Sequence, residues 1–255
     1  MNPGEHAIMA AVEEHHWWYR ALRNVTTACL ETQRFALPAN PRILDAGCGT
    51  GGNLKALADF ANPSYLGGFD ASQEALALSR DKVPSADLYQ SSICDPVVHQ
   101  GELDLVISMD VIYIPGAEEA LPGLQRLANA LRPGGLFMLN LPAYDWLFSA
   151  HDIAIHTKER YTASSVSALL NALELRIDLL SYRVCFLFPA VVAARLPSLF
   201  RTRQPNSEAQ SDLHGESTGL ANEALARVMA AESRLIARGL RFPFGSSVFA
   251  IGRRM

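Results

Sequence analysis

The chain has 255 residues, is 49% hydrophobic and 19% charged, and carries a formal net charge of −4. That length suffices to bury a full core in one α/β domain with insertions, or in one domain plus a cap. The acidic balance removes any global electrostatic case for a nucleic-acid partner. Cys29, Cys48, Cys94 and Cys185 show no paired spacing. They therefore argue against a zinc site or a disulfide framework and suit a reducing, cytoplasmic setting. The opening Met1–His6 lacks the basic-then-apolar pattern of a leader. No run reaches the ~18 uninterrupted apolar residues of a membrane span. The nearest, 184–200, is broken by Pro189, Arg195 and Pro197 and reads as buried or interfacial.

In chain order, the first ~35 residues read as helical, a lid-like extension ahead of the first strand. Strands follow at Arg42–Ala46, Tyr65–Phe69, Leu88–Ser91, Leu103–Met109 and Gly135–Leu141. Helices lie between them at Asn53–Phe60, Gln73–Asp81 and Ala117–Leu131, the last closed by the stop signal Arg132-Pro-Gly-Gly. This alternation implies a parallel, doubly wound sheet. Thr162–Leu173 reads as a helix with Thr162 as N-cap, and Leu175–Arg183 and Ser246–Gly252 as strands six and seven. Between those strands sits an insertion, 184–240. It opens apolar, passes a polar stretch at Thr202–Gly219 that reads as a mobile loop, and ends in a helix near Leu220–Arg238. The expected organisation is a single domain: lid 1–40, cofactor core 41–183, cap 184–240 and last strand 241–255.

Residues 42–53, Arg-Ile-Leu-Asp-Ala-Gly-Cys-Gly-Thr-Gly-Gly-Asn, combine a strand, a side-chain-free turn and a helix start. Glycine lets backbone approach a ligand closely, so this is a nucleotide-type cofactor turn. Gly47, Gly49 and Gly52 satisfy G-x-G-x-x-G literally, which admits NAD(P). Asp45, directly before the turn, sits poorly beside a pyrophosphate and well beside a cationic, phosphate-free ligand. Asp70 ends the second strand, where a carboxylate can accept both ribose hydroxyls.

With these motifs in register the chain resembles the class I S-adenosylmethionine-dependent methyltransferases. Ile43–Asn53 matches the family's first motif, Asp70 its ribose acid, Asp104–Asp110 the fourth-strand motif and Leu131–Leu141 the fifth. The resemblance covers about residues 40–183 and the final strand. It implies a Rossmann-like, seven-stranded, mostly parallel sheet with an antiparallel last strand, and S-adenosyl-L-methionine as cofactor. It further implies that Ala46, Gly47 and Gly49 line the methionine and ribose, and that Asp45 steadies the turn and the amino group. Ala71 and Ser72 would flank the adenine, Ser92 and Ile93 meet its edge and face, and Met109 line the pocket. In relatives with a similar Trp-Trp/Tyr-Arg segment, an aromatic such as Tyr19 lies over the cofactor and an arginine, Arg20 or Arg23, meets its carboxylate.

Methyl transfer from a sulfonium disperses charge, so the protein mainly aligns nucleophile, methyl and sulfur. A base is needed only when the nucleophile arrives protonated. Relatives carry Glu-His after the fourth-strand Asp-Val-Leu; here Tyr113 and Ile114 stand there. The segment after strand five holds Tyr144, His151, Asp152, His156, Arg160 and Tyr161. The candidate catalytic set is therefore Tyr113, His151, His156 and Tyr161, with Asp152 or Arg160 orienting a base or clamping the loop. No metal is expected. The reading is methyl transfer to a small or medium-sized, biosynthetic or apolar molecule. The alternatives are a non-methylating enzyme such as a cyclase on the same fold, an NAD(P)-dependent oxidoreductase, or a non-catalytic cofactor-binding module. Peripheral membrane contact through 184–200 and a homodimer are the partner expectations.

Overall fold

The computed structural model describes residues 5–99, 101–199 and 219–255. The polar stretch expected at 202–219 lies outside the described residues except for its last position. Seven strands form one sheet in the order β3-β2-β1-β4-β5-β7-β6. They are β1 (Arg42–Ala46), β2 (Tyr65–Asp70), β3 (Asp87–Gln90), β4 (Leu103–Met109), β5 (Leu131–Pro142), β6 (Leu175–Arg183) and β7 (Ser247–Arg254). β7 enters antiparallel between β5 and β6, and the other neighbours pair in parallel.

The helices are α1 (Glu5–Val12), α2 (Trp17–Leu30), α3 (Gly52–Ala61), α4 (Gln73–Lys82), α5 (Ala117–Ala130), α6 (Ala150–Ala154), α7 (Ala163–Ala172), α8 (Phe188–Leu199) and α9 (Leu220–Ala237). Alternating strand residues feed opposite faces. Leu44, Val106, Phe137 and Leu139 join Leu124 and Leu127 of α5 and Val166 and Leu170 of α7. Ile43, Leu105, Ile107 and Met138 join α2, α3, α4 and α9 through Leu22, Leu54, Leu76 and Ile236. All seven residues of β4 are buried, the mark of a central strand covered on both sides.

The expected ends hold closely, with Ser72 capping α4 and Thr162 capping α7 by accepting Ala75 and Ser165 N–H groups, each at 3.2 Å. β5 differs: it starts at Leu131, before the Pro-Gly-Gly expected to precede it, because Leu131 pairs with Leu103 before a register shift.

The lid and the cap insertion, read separately in the sequence, are one structure. α2 packs along α9. Trp17 N donates to Asn222 Oδ1 at 2.8 Å, Asn222 Nδ2 donates to His15 O at 2.9 Å, and Arg20 pairs with Glu223.

Candidate active site

β1 ends in a turn whose backbone only glycine adopts without strain: Gly47, Gly49 and Gly51 have φ of 90°, 53° and 87°. A Cβ on Gly47 would lie 2.6 Å from Val111 Cγ1. The segment after β4 therefore packs directly on the turn. Gly51 leads into α3, so the turn also presents a helix N-terminus.

Two acids flank this turn. Asp70 is tied to it: Oδ2 accepts Gly49 N–H at 3.0 Å and Oδ1 accepts Ser72 N–H at 2.8 Å. Asp45 is 0% exposed, and neither of its carboxylate oxygens has a hydrogen-bond partner among the described residues. Burial pushes its carboxyl well above the usual range, and the charges of Asp70 and Glu13 push it further. An unpaired buried carboxylate is costly unless a cation completes the site. The donor set thus fits a ligand with positive charge and hydroxyls.

α1 crosses this turn. The Met9 methyl lies against Gly49, and the buried Glu13 accepts from Thr50 Oγ1 at 2.6 Å and pairs with Lys82. Arg23 Nη2 donates to the carbonyls of Glu13 at 2.8 Å and Glu14 at 3.3 Å. Both arginines expected near a ligand carboxylate thus have protein partners, Arg23 in the α1–α2 joint and Arg20 on α9. Tyr19 is half-buried, its ring edge-on to His16.

Of the other residues expected around a cofactor, Ala46, Ile93 and Met109 are buried, Ala71 and Ser92 exposed, and Ser72 half-buried. Ser92 Oγ accepts Cys94 N–H at 3.2 Å.

The candidate catalytic residues separate. Tyr113 is buried beside Asp110. Burial raises its hydroxyl pKa strongly, aided by Asp110, Tyr19 and Asp152 and opposed by Arg160. Tyr161 is 1% exposed, and its hydroxyl donates to Ile112 O at 3.3 Å. His156 is exposed at a positive φ of 59°, and His151 is half-buried on α6. Asp152 and Arg160 form a buried ion pair that ties the loop down.

Sequence reasoning missed an acid beside Tyr113. Asp110, half-buried at the carboxyl end of β4 with φ of 55°, accepts from Asn140 Nδ2 at 2.8 Å. Asn140 Oδ1 accepts from Arg183 Nη1 at 3.0 Å, and the Arg183 guanidinium lies 5.5 Å from the Trp18 ring centre. Burial raises the Asp110 carboxyl to about 6 against the opposing pull of Arg183, Asn140 and Arg160. A positive φ on a non-glycine residue was the local signal, invisible in sequence.

The fold and site together define a doubly wound sheet with an antiparallel β7 and a glycine turn opening at the carboxyl edge, the class I methyltransferase architecture. Residues 43–135 match a family model described as a methyltransferase domain. Residues 43–135 are a methyltransferase domain of the S-adenosylmethionine-dependent type, whose cofactor is S-adenosyl-L-methionine. It is 31% identical to the trans-aconitate 2-methyltransferase of Variovorax paradoxus over 43% of this chain and 41% of that one. The S-adenosylmethionine-dependent methyltransferase structure from Mesorhizobium loti superposes with a TM-score of 0.58 at 18% identity, covering 95% of this chain and 100% of that one. The [4+2]-cyclase SpnF superposes with a TM-score of 0.56 at 17% identity, covering 93% and 83%. The chain spans less than two thirds of the length of the curated relatives it matches first. The methyltransferase-domain match, which includes the glycine turn, sets aside its nicotinamide reading. No described helix is long and apolar enough to cross a membrane.

Proposed function

We propose that this protein transfers the methyl group of S-adenosylmethionine to a small-molecule acceptor held over the carboxyl ends of β4 and β5. The observation that carries the reading is the buried, unpartnered carboxylate of Asp45 beside the glycine turn. The cofactor's positive charge would meet Asp45, Ala46, Gly47 and Gly49 would lie along its methionine and ribose, and Asp70 would accept its ribose hydroxyls. Ala71, Ser92 and Ile93 would border the adenine, Met109 would wall the pocket, and Tyr19 would cover it from α2. When bound, the cofactor supplies an electrophilic methyl group.

For an acceptor that arrives protonated, Asp110 is the side chain best placed to take the proton. Asn140 and Arg183 orient it, and Tyr113 stands beside it. Asp110 would take up the acceptor's proton as the methyl group is transferred. A small-molecule acceptor suits the net charge of −4 and the methyltransferase named above. Lid, core and cap act as one domain in this reading, because α2 and α9 are joined. The four free cysteines suit a reducing cytoplasm.

Calorimetric titration with S-adenosylmethionine and with its demethylated product tests the reading, and no heat of binding with either ligand sinks it. A second reading, a cyclase-type use of the same cofactor, follows from the Tyr113-Ile114 pair in place of Glu-His. Methyl-labelled cofactor whose label never reaches an acceptor would favour it.

A further inference from the structure

At the carboxyl edge of β5 and β6 lies a contiguous aromatic cluster outside the cofactor turn. Tyr144 stacks between Trp146 and Tyr182 with ring centres 5.5 and 5.2 Å away. Phe188 of α8 bridges Trp146 at 6.0 Å and Phe244 at 5.5 Å, and Phe186 meets Phe242 edge-on at 5.4 Å. Much of this is open to solvent: Trp146 is 45% exposed, Phe186 47% and Phe244 43%. Large rings so exposed and so close together mark a contact surface rather than scatter.

α8 extends the patch. Its exposed positions among the described side chains are Pro189, Ala190, Ala193 and Ala194, none of them polar. Its one charge there, Arg195, is turned back onto Leu147 O, Ser149 and Asp152. The surroundings are basic although the chain as a whole is acidic. Between Glu232 and Gly245 the sequence has no acid and three arginines. Arg238 and Arg241, both exposed, precede Phe242 and Phe244 in the chain. Asp145, exposed beside Trp146, is an acid at the margin.

We infer that this face docks on an anionic lipid surface, its rings and the uncharged side of α8 entering the headgroup region while Arg238 and Arg241 meet lipid phosphates. Tryptophan and phenylalanine with basic neighbours suit that interface. Local positive charge on a net acidic protein supplies the complementarity that a neutral oily partner would not require. The patch shares the carboxyl edge of the sheet with the glycine turn, so docking turns the site towards the membrane.

The test is co-sedimentation of the full chain with vesicles of phosphatidylcholine alone and of phosphatidylcholine with phosphatidylglycerol. Partition onto the anionic vesicles should exceed that onto neutral ones by about tenfold or more and weaken with salt. W146S/F186S/F244S should lose about tenfold of that partition. R238Q/R241Q should lose the preference for anionic lipid. All three proteins should bind the demethylated cofactor equally, which shows that the variants fold. Absence of binding to either vesicle overturns the inference, as does unchanged partition of the ring variant. A dimer in sedimentation velocity that the ring variant dissolves, without vesicle binding, assigns the face to a second copy instead. Failure of cofactor binding in the wild type as well as in both variants would sink the methyltransferase reading and leave the vesicle result to decide this one.

Discussion

Arg160 grips both carboxylate oxygens of Asp152, Nε on Oδ1 at 2.8 Å and Nη2 on Oδ2 at 3.0 Å. The pair is almost fully buried, with side chains 7% and 2% exposed. Burial alone would raise the Asp152 carboxyl. The bonds and charge of Arg160, the Ser149 N–H and Arg195 outweigh it and hold the carboxyl below its usual range. Asp152 also caps its own helix through Ser149 N–H at 2.8 Å. Removing one partner of such a pair leaves an uncompensated buried charge, at about 3–5 kcal/mol. Asp152→Asn and Arg160→Met should each cost about 3 kcal/mol or more in urea unfolding. The double variant should be less destabilised than the sum of the two. Single-variant losses below about 1 kcal/mol would show the loop is held by something else.

Gly47→Ala should fail for two reasons that can be separated. Its backbone, at φ of 90°, strains any side chain, and its Cβ would overlap the Val111 methyls. Strain of that kind costs about 1–3 kcal/mol, and overpacking about as much again. Adding Val111→Ala removes the overlap alone. The double variant should therefore recover part of the lost melting temperature while cofactor affinity stays at least about tenfold down. Full recovery of both would show the turn needs space but no glycine backbone.

These outcomes also show what the sequence could disclose. The turn at Gly47 was legible because its signals are local: an apolar strand, alternating glycines and a helix start within a dozen residues. Thr162 was legible as a cap for the same reason. Arg183, Asn140 and Asp110 were not, because they come from three strands and meet only once β7 has inserted between β5 and β6. The α2–α9 junction spans Trp17 to Asn222, and no periodicity in either helix encodes its partner. In sequence, Asp152 fits an orienter of a histidine base as well as a clamp. Its bidentate hold on Arg160 favours the clamp, and it depends on a loop closing over eight residues.

Asp45→Asn should move stability and cofactor binding in opposite directions. In the cofactor-free protein the substitution removes a buried carboxyl whose ionisation burial, Asp70 and Glu13 all oppose. The melting temperature should rise by several degrees, as relief of about 1–2 kcal/mol implies for a domain of this size. Affinity for S-adenosylmethionine should fall about tenfold or more, because its cationic groups lose the charge they neutralise. A variant that melts lower and binds equally well would place Asp45 in the scaffold and outside the binding site.

Asp110 gives a pH dependence with a definite sign. Its folded pKa, about 6, lies above the ordinary value of 3.8. Between those values the folded protein holds a proton that the unfolded chain releases, so Asp110 favours folding most below pH 4. That contribution is lost as pH rises through about 6. The groups facing it come from every neighbouring element: Asn140 on β5, Arg183 on β6, Arg160 after α6, Tyr113 after β4 and, across Arg183, Glu232 on α9. Asp110→Asn keeps an acceptor for Asn140 and removes the titration. The stability difference between wild type and variant should therefore shift by about 1–3 kcal/mol between pH 4 and 6 and stay flat above. Asp152 and Asp178, both held low by arginines, titrate below that window in both proteins and cancel. Urea unfolding across pH 4 to 7 checks this. A constant difference would mean that Asp110 is an ordinary surface acid, and the case for it as proton acceptor would go with it.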